Sequence, residues 1–227
     1  PKVGRTTTDW VPLALVAALA IVAMSAILGN RFAGDAVQLI VRNDRVHALG
    51  DFPMRILETY WPQVTLESAG RLYRPLTTIG FSLQWVFGVG SPLLYHVTSL
   101  ALYMMGSLLV FALARRLLPV GPATLAAGLF AVHPVHVETV ASAVGQGELL
   151  ATGFALMAVT TYVDGVARGL NSTRLAVIVG GFLLACLAHE QAVVLPLLVL
   201  AITPLVSSDR LPGARREDAS RALVALA

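Results

Sequence analysis

Apolar residues dominate this chain in long runs, and polar residues collect in the segments between them. Six runs are apolar enough for helices that cross a membrane, at about 10–29, 92–114, 122–133, 148–163, 174–189 and 191–206. The last two form one stretch broken only at residues 189–191, and roughly 30 apolar residues would overshoot a bilayer. The pattern predicts an all-α bundle of about six transmembrane helices, with a tight hairpin at that break.

The longest polar segment, residues 30–91, follows the first apolar run. Two parts of it, 52–61 and 76–87, have apolar and aromatic residues at helical spacing but are too short or too polar to cross a membrane. Helices lying along the membrane surface and packing helices of a small extracytoplasmic cap explain this pattern equally well. We therefore divide the chain into 1–29 (N-terminal segment and first transmembrane helix), 30–91 (extracytoplasmic loop), 92–206 (helical bundle) and 207–227 (cytoplasmic loop and start of a further helix).

Composition supports a membrane protein. Hydrophobic residues make up 56% of the chain and charged residues 13%, whereas soluble domains carry about a quarter charged residues. The net charge is +3, but the basic residues are scattered at the ends of apolar segments rather than gathered on one face. This distribution predicts membrane lipid, and no nucleic acid, as a partner. The single Cys186 has no partner for a disulfide.

Lysine and arginine in the short connections predict the orientation of the bundle. If the spans alternate, the basic residues fall on one side, which is then cytoplasmic together with the N-terminus. The loop 30–91, the segment 133–145 and the break at 189–190 then face outward and could converge on one cavity. The basic residues are Lys2, Arg5, Arg115, Arg116, Arg168, Arg174, Arg210, Arg215 and Arg216.

Two of the outward segments carry residues that are able to take part in catalysis or ligand binding. Asp35 follows the first span, where a carboxylate can act as a general base, help to hold a metal or simply be solvated in a loop. His133, His136 and Glu138 lie where a short span ends. They can ligate a divalent ion, transfer a proton, hydrogen-bond a phosphate or sugar, or form a structural polar cluster.

Other ionisable residues lie close to predicted span ends. Glu148 and Glu190 are carboxylates in positions where charge is costly and usually faces a partner or a cavity. Tyr73 and Arg74 place an arginine beside an aromatic ring near the membrane surface. Such an arginine suits a lipid phosphate, or it snorkels over apolar surface.

These segments, in this order, resemble one family. The match runs from about Asp35 to Leu200 and is similar to the membrane module of the tetratricopeptide-repeat O-mannosyltransferases and their bacterial relatives, in the GT-C class of glycosyltransferases. The residues that carry it are Asp35 with Leu39-Ile40 and Asn43, Tyr73-Arg-Pro-Leu-Thr77, Tyr95-His96, Leu129-Phe-Ala-Val-His-Pro-Val-His-Val-Glu-Thr-Val140, Gly145-Gln-Gly-Glu-Leu-Leu150 and His189-Glu-Gln-Ala-Val193.

The resemblance implies transfer of a sugar from a polyprenyl-phosphate donor to an acceptor hydroxyl at the outer face of the membrane. It also implies a multi-pass protein of the bacterial inner membrane, and leaves open a divalent metal as cofactor. We predict catalytic roles for Asp35 and Glu138. The predicted substrate-binding residues are Tyr73, Arg74, His133, His136, Glu148, His189 and Glu190.

The chain departs from the family pattern at three positions. The family usually has a second acidic residue where Ala36 stands, an arginine where Gln146 stands and a lysine where His189 stands. An amide and an imidazole thus replace two cations that would hold a phosphate. The alternative hypothesis is therefore a degenerate relative that serves as an accessory subunit among other integral membrane proteins. A small transporter would need paired broken helices, for which the sequence gives no signature.

Overall fold

A computed structural model of the chain describes residues 10–50, 59–61, 72–206 and 225. The described residues form helices and turns without a strand, which confirms the predicted all-α class. Short 3-10 or π turns connect several of the helices. The α-helices are α1 (Trp10–Met24), α2 (Pro75–Gly88), α3 (Pro92–Leu117), α4 (Val120–Val132), α5 (Val137–Ala141), α6 (Gln146–Arg168), α7 (Ser172–Ala188) and α8 (Leu195–Val206).

Three helices are long and apolar enough to cross a membrane: α1 with its 3-10 extension, α3, and α6 with its preceding turn. After a bend of 44°, α4 continues into Pro134–Ala141, and this pair is a fourth candidate. The 17 residues of α7 extend only about 26 Å, short of a hydrocarbon core of roughly 30 Å. The chain is an integral membrane protein, but helix length supports three or four spans in the described residues rather than the predicted six.

The break between the last two apolar runs lies where the sequence predicts it. The backbone of His189 is extended, with φ −156° and ψ 132°, so α7 ends at Ala188. A 3-10 turn, Glu190–Val194, then leads into α8. The main contacts of α8 are with α6, which brings the polar break close to the beginning of α6.

Small residues allow the helices to approach closely, as is common in membrane bundles. The buried face of α1, with Val16 and Ala20, belongs to one hydrophobic cluster with Ala123 and Ala127 of α4. A Cβ at Gly181 of α7 would lie 3.1 Å from a backbone oxygen of α6. The contact at Gly181 packs α7 closely against α6, and the candidate site lies at one end of this pair.

The chain between α1 and α3 contributes most of a further hydrophobic cluster, which also includes Tyr95 of α3 and Ala143. Tyr95 of α3 donates a hydrogen bond of 2.7 Å to the carbonyl oxygen of Phe81 in α2, and the ring of His47 stacks on Trp85 at 3.7 Å. The predicted helix at 76–87 is confirmed as α2, whereas most of 52–61 lies outside the described residues. The cluster anchors α2 beside the ends of α3, α6 and α7.

Candidate functional site

Arg74 and Glu190 form a bidentate ion pair at the entrance to α2. The Nε atom of Arg74 lies 2.7 Å from Oε2 of Glu190, and its Nη2 atom lies 2.5 Å from Oε1. These hydrogen bonds lower the pKa of Glu190 to about 2, so the carboxylate is charged at neutral pH. The guanidinium of Arg74 is therefore already matched by an opposite charge.

Tyr60 lies against the same arginine. The Cζ atom of Arg74 is 4.8 Å from the centre of the Tyr60 ring, a cation–π distance. Burial raises the pKa of Tyr60 to about 12; the charge of Arg74 opposes this rise, and Asp35 and Glu190 add to it. The exposed Asp35 thus acts on the same phenol as the ion pair. The phenol oxygen is buried without a hydrogen-bond partner among the described residues.

His189 lies between two carboxylates. Its Nε2 atom is 3.8 Å from Oε1 of Glu148, and its Nδ1 atom is 3.9 Å from Oε2 of Glu190. Burial and the positive charge of Arg74 lower the pKa of His189, while the two carboxylates oppose this shift. The imidazole is therefore mostly neutral at pH 7 and is no fixed cation.

Glu148 lies in the first turn of α6, where the helix dipole favours a negative charge. Its Oε2 atom accepts a hydrogen bond of 2.9 Å from the hydroxyl of Thr139. Arg74, Glu190, His189, Glu148 and Thr139 therefore form one continuous series of polar neighbours.

A cavity of about 630 Å³, which we call the larger cavity, separates α6 from α8. Glu148, His189 and Gln191 form its polar end, and the rest of its wall is apolar except for Thr152. Neither lysine nor arginine is among the residues that line it in the described part of the chain. The apolar wall includes Leu113, Ala155, Leu156, Leu195, Leu198 and Ile202.

A second cavity of about 290 Å³, the smaller cavity, lies between α3, α6 and the bend after α4. Its aromatic wall is formed by Tyr103, Phe130 and His136, and the ring centres of Phe130 and His136 are 4.3 Å apart. Glu148 and Thr152 line both cavities. The two cavities therefore adjoin at the beginning of α6.

Five of the predicted site residues are exposed and line neither cavity. They are Asp35, Tyr73, His133, Glu138 and Glu190, of which Glu190 is held in the ion pair with Arg74. Nδ1 of His133 accepts a hydrogen bond from the backbone N–H of Val135, which caps the bend after α4. The described residues contain no group of three or more His, Cys, Asp or Glu side chains placed to hold a metal ion.

Gln146 faces the core rather than either cavity. Its side chain is 2% exposed and exchanges two hydrogen bonds, of 2.7 and 2.9 Å, with the amide of Gln84 in α2. It also donates to the backbone oxygen of Tyr95 in α3. Gln146 therefore connects three helices, and a role in a phosphate site for a cation at this position stays a prediction.

Sequence reasoning missed Tyr60 and Thr139. A tyrosine in an amphipathic segment and a threonine in an apolar segment do not by themselves indicate a functional site. Thr139 lies within the motif that includes Glu138, but only the folded chain shows that Thr139 contacts Glu148 and that Glu138 does not face the cavities. Among the predicted carboxylates, Glu148 is the one that lines both cavities.

Comparison with characterised proteins identifies the family. The chain is 34% identical over 166 residues, 71% of its length, to protein O-mannosyl-transferase Tmtc1 of Drosophila melanogaster. It is 30% identical over 184 residues, 79% of its length, to protein O-mannosyl-transferase F38B6.6 of Caenorhabditis elegans. It is also 30% identical over 209 residues, 81% of its length, to human protein O-mannosyl-transferase TMTC4.

The matched region spans only part of these relatives: 19% of the fly protein, 26% of the worm protein and 28% of the human protein. No family model and no solved structure matches the chain. The identity to the fly and worm proteins nevertheless extends over more than two thirds of the chain. The chain belongs to the TMTC family of protein O-mannosyl-transferases, which are glycosyltransferases of the GT-C type.

Proposed function

We propose that this protein binds a polyprenyl-phosphate-linked sugar in the larger cavity and transfers the sugar to an acceptor hydroxyl. The observation that carries the proposal is the composition of this cavity, in which an apolar wall along α6 and α8 ends in Glu148, His189 and Gln191. This division into an apolar wall and a polar end suits a lipid chain with a polar head group. The names of the relatives suggest mannose as the sugar and a protein as the acceptor.

The proposed reaction is a single displacement. The acceptor oxygen attacks the anomeric carbon, the bond from that carbon to the phosphate oxygen breaks, and the phosphate leaves with the electron pair. The hydroxyl proton passes to a carboxylate acting as general base. Asp35 is our candidate for this base, because it is exposed to an arriving acceptor and acts electrostatically on Tyr60, next to Arg74 and Glu190.

The charges of the site favour a second candidate function, an accessory subunit in a larger membrane complex. Arg74 is bound to Glu190, Gln146 is buried in the core, and His189 is mostly neutral. A donor phosphate at the polar end of the larger cavity would therefore lie near carboxylates. No fixed cation among the three positions just named would be available to bind it. Lost cations of this kind weaken both donor binding and transition-state stabilisation.

Transfer assays with the full-length protein in proteoliposomes separate the two functions. The substrates are polyprenyl-phosphate mannose and a polypeptide acceptor. We expect mannose transfer by the unmodified protein and a loss of about 100-fold or more in Asp35→Asn, because a general base contributes on that order. Asp44→Asn, a change of another exposed aspartate in the same loop, is the matched control and should transfer normally. Absence of transfer, together with a stoichiometric complex isolated from native membranes, would favour the accessory subunit.

A further inference from the structure

We propose that the smaller cavity is the subsite for the sugar ring of the donor. Its wall combines Tyr103, Phe130 and His136 with Thr139 and Glu148. The inference rests on the proposed transferase function, and it assigns the two halves of the donor to two different cavities.

The aromatic wall suits the apolar faces of a pyranose. The ring centres of Tyr103, Phe130 and His136 lie 4.3 to 6.0 Å from one another, so the three rings form one continuous surface. The hydroxyl of Tyr103 donates to backbone oxygens of Phe130 and Ala131. Its ring rather than its hydroxyl is therefore available to a ligand. The C–H groups of a sugar carry a slight positive charge and are attracted to the negative faces of aromatic rings.

The polar part of the wall, Thr139 and Glu148, suits the hydroxyl groups of the same sugar ring. A carboxylate has about four sites that accept hydrogen bonds. In Glu148 one of these sites is used by Thr139 at 2.9 Å, while Oε1 lies 3.8 Å from His189, beyond the length of a hydrogen bond. Glu148 therefore retains capacity to accept from sugar hydroxyls.

The junction of the two cavities suits a ligand with two chemically different parts. Glu148 and Thr152 line both cavities, the smaller of about 290 Å³ and the larger of about 630 Å³. A ring in the smaller cavity and an apolar chain in the larger cavity would be joined at this point. His189 then faces the linkage from the side of the larger cavity.

The test compares two lipids on the purified full-length protein: polyprenyl-phosphate mannose and the same polyprenyl phosphate without sugar. We expect the unmodified protein to bind the mannose-bearing lipid about tenfold more tightly, the equivalent of one or two good contacts. His136→Ala and Phe130→Leu should remove most of this preference and leave binding of the sugar-free lipid unchanged. Phe130→Leu keeps apolar volume and removes only the ring, which limits damage to the fold.

Val135→Ala is the matched control, because this side chain is next to His136 in the chain, is exposed and lines neither cavity. It should keep the full preference for the mannose-bearing lipid. Equal binding of the two lipids by the unmodified protein, or equal effects of His136→Ala and Val135→Ala, would overturn the sugar subsite while leaving donor binding intact. If the unmodified protein binds neither lipid, the proposed function fails as well.

Discussion

The charge of His189 decides how the polar end of the larger cavity responds to a phosphate. Glu148, Glu190 and Arg74 are the charged groups that face this imidazole. Since Arg74 and Glu190 neutralise each other, protonation of His189 is the change that adds positive charge near the cavity.

Donor binding should therefore depend on pH. Burial holds the pKa of His189 below its ordinary value of 6.5, so the protonated fraction grows only as the pH falls below that value. The phosphodiester of the donor keeps its negative charge in this range. When the pH falls from 8 to 5, we expect the affinity for polyprenyl-phosphate mannose to rise. The rise should be about tenfold for each unit by which the bound donor raises the pKa of His189. Binding measured across this range checks the prediction.

Two variants assign the effect to the imidazole. His189→Lys should bind tightly at pH 8 and lose most of the pH dependence, because lysine stays charged at neutral pH. Glu148→Gln removes the other titratable group at the polar end and should keep the dependence. An affinity that is the same at pH 5 and pH 8 in the unmodified protein would show that His189 does not face the phosphate.

Single residues of the site were only partly predictable from sequence. Arg74, Glu148, His136, His189 and Glu190 are recognisable as ionisable groups near span ends, where charge is costly. The pairing of Arg74 with Glu190 joins positions 116 residues apart, and no spacing rule covers such a distance.

Among the elements, the turn before α6 determines where Glu148 and Thr139 meet. Gly145 ends this turn, and a Cβ at this position would overlap the carbonyl oxygen of Thr139. We expect Gly145→Ala to lower the free energy of unfolding by about 2 kcal/mol or more, because backbone must move to relieve the clash. Gly153→Ala in α6 meets no atom within 4 Å and should leave stability unchanged or raise it. Thermal unfolding in detergent checks both, and equal midpoints for the two variants would contradict the close packing of this turn.

The glutamine pair connects α2 to α6, and it predicts the outcome of restoring an arginine at position 146. Gln146→Arg alone buries a guanidinium beside an amide and should destabilise the protein by about 3 kcal/mol or more. Gln84→Glu combined with Gln146→Arg supplies the opposite charge at the same contact and should recover part of this loss. The free energy of unfolding, measured for the unmodified protein, both single variants and the double variant, completes this double-mutant cycle. Additive losses would show that the two side chains do not interact.

Helix positions followed from the apolar pattern more closely than helix lengths did. The helices α1, α2, α3 and α6 lie where the pattern predicts them. The count of six full spans is not confirmed in the described residues, because hydropathy measures apolar content, while a span also needs length, and α7 and α8 have only 17 and 12 residues. The bend after α4 follows from Pro134, which lies between that helix and α5.

At the scale of the whole molecule, the orientation of the bundle remains a prediction from its basic residues. In a Cys186→Ala background, a cysteine introduced at Asp44 should react with an impermeant thiol reagent from outside intact cells, and one introduced at Arg215 should not. Permeabilised cells serve as the control, in which both positions should react. The reverse pattern would place the polar end of the larger cavity on the cytoplasmic side.

The most direct test of the central claim is donor affinity after the larger cavity is filled. Ala201 lines this cavity, whereas Ala126 is exposed on α4 and lines neither cavity. We predict that Ala201→Phe weakens binding of polyprenyl-phosphate mannose by about tenfold or more, because the ring occupies space needed by the lipid, and that Ala126→Phe binds as the unmodified protein does. Unchanged affinity in Ala201→Phe would contradict the assignment of the larger cavity to the donor.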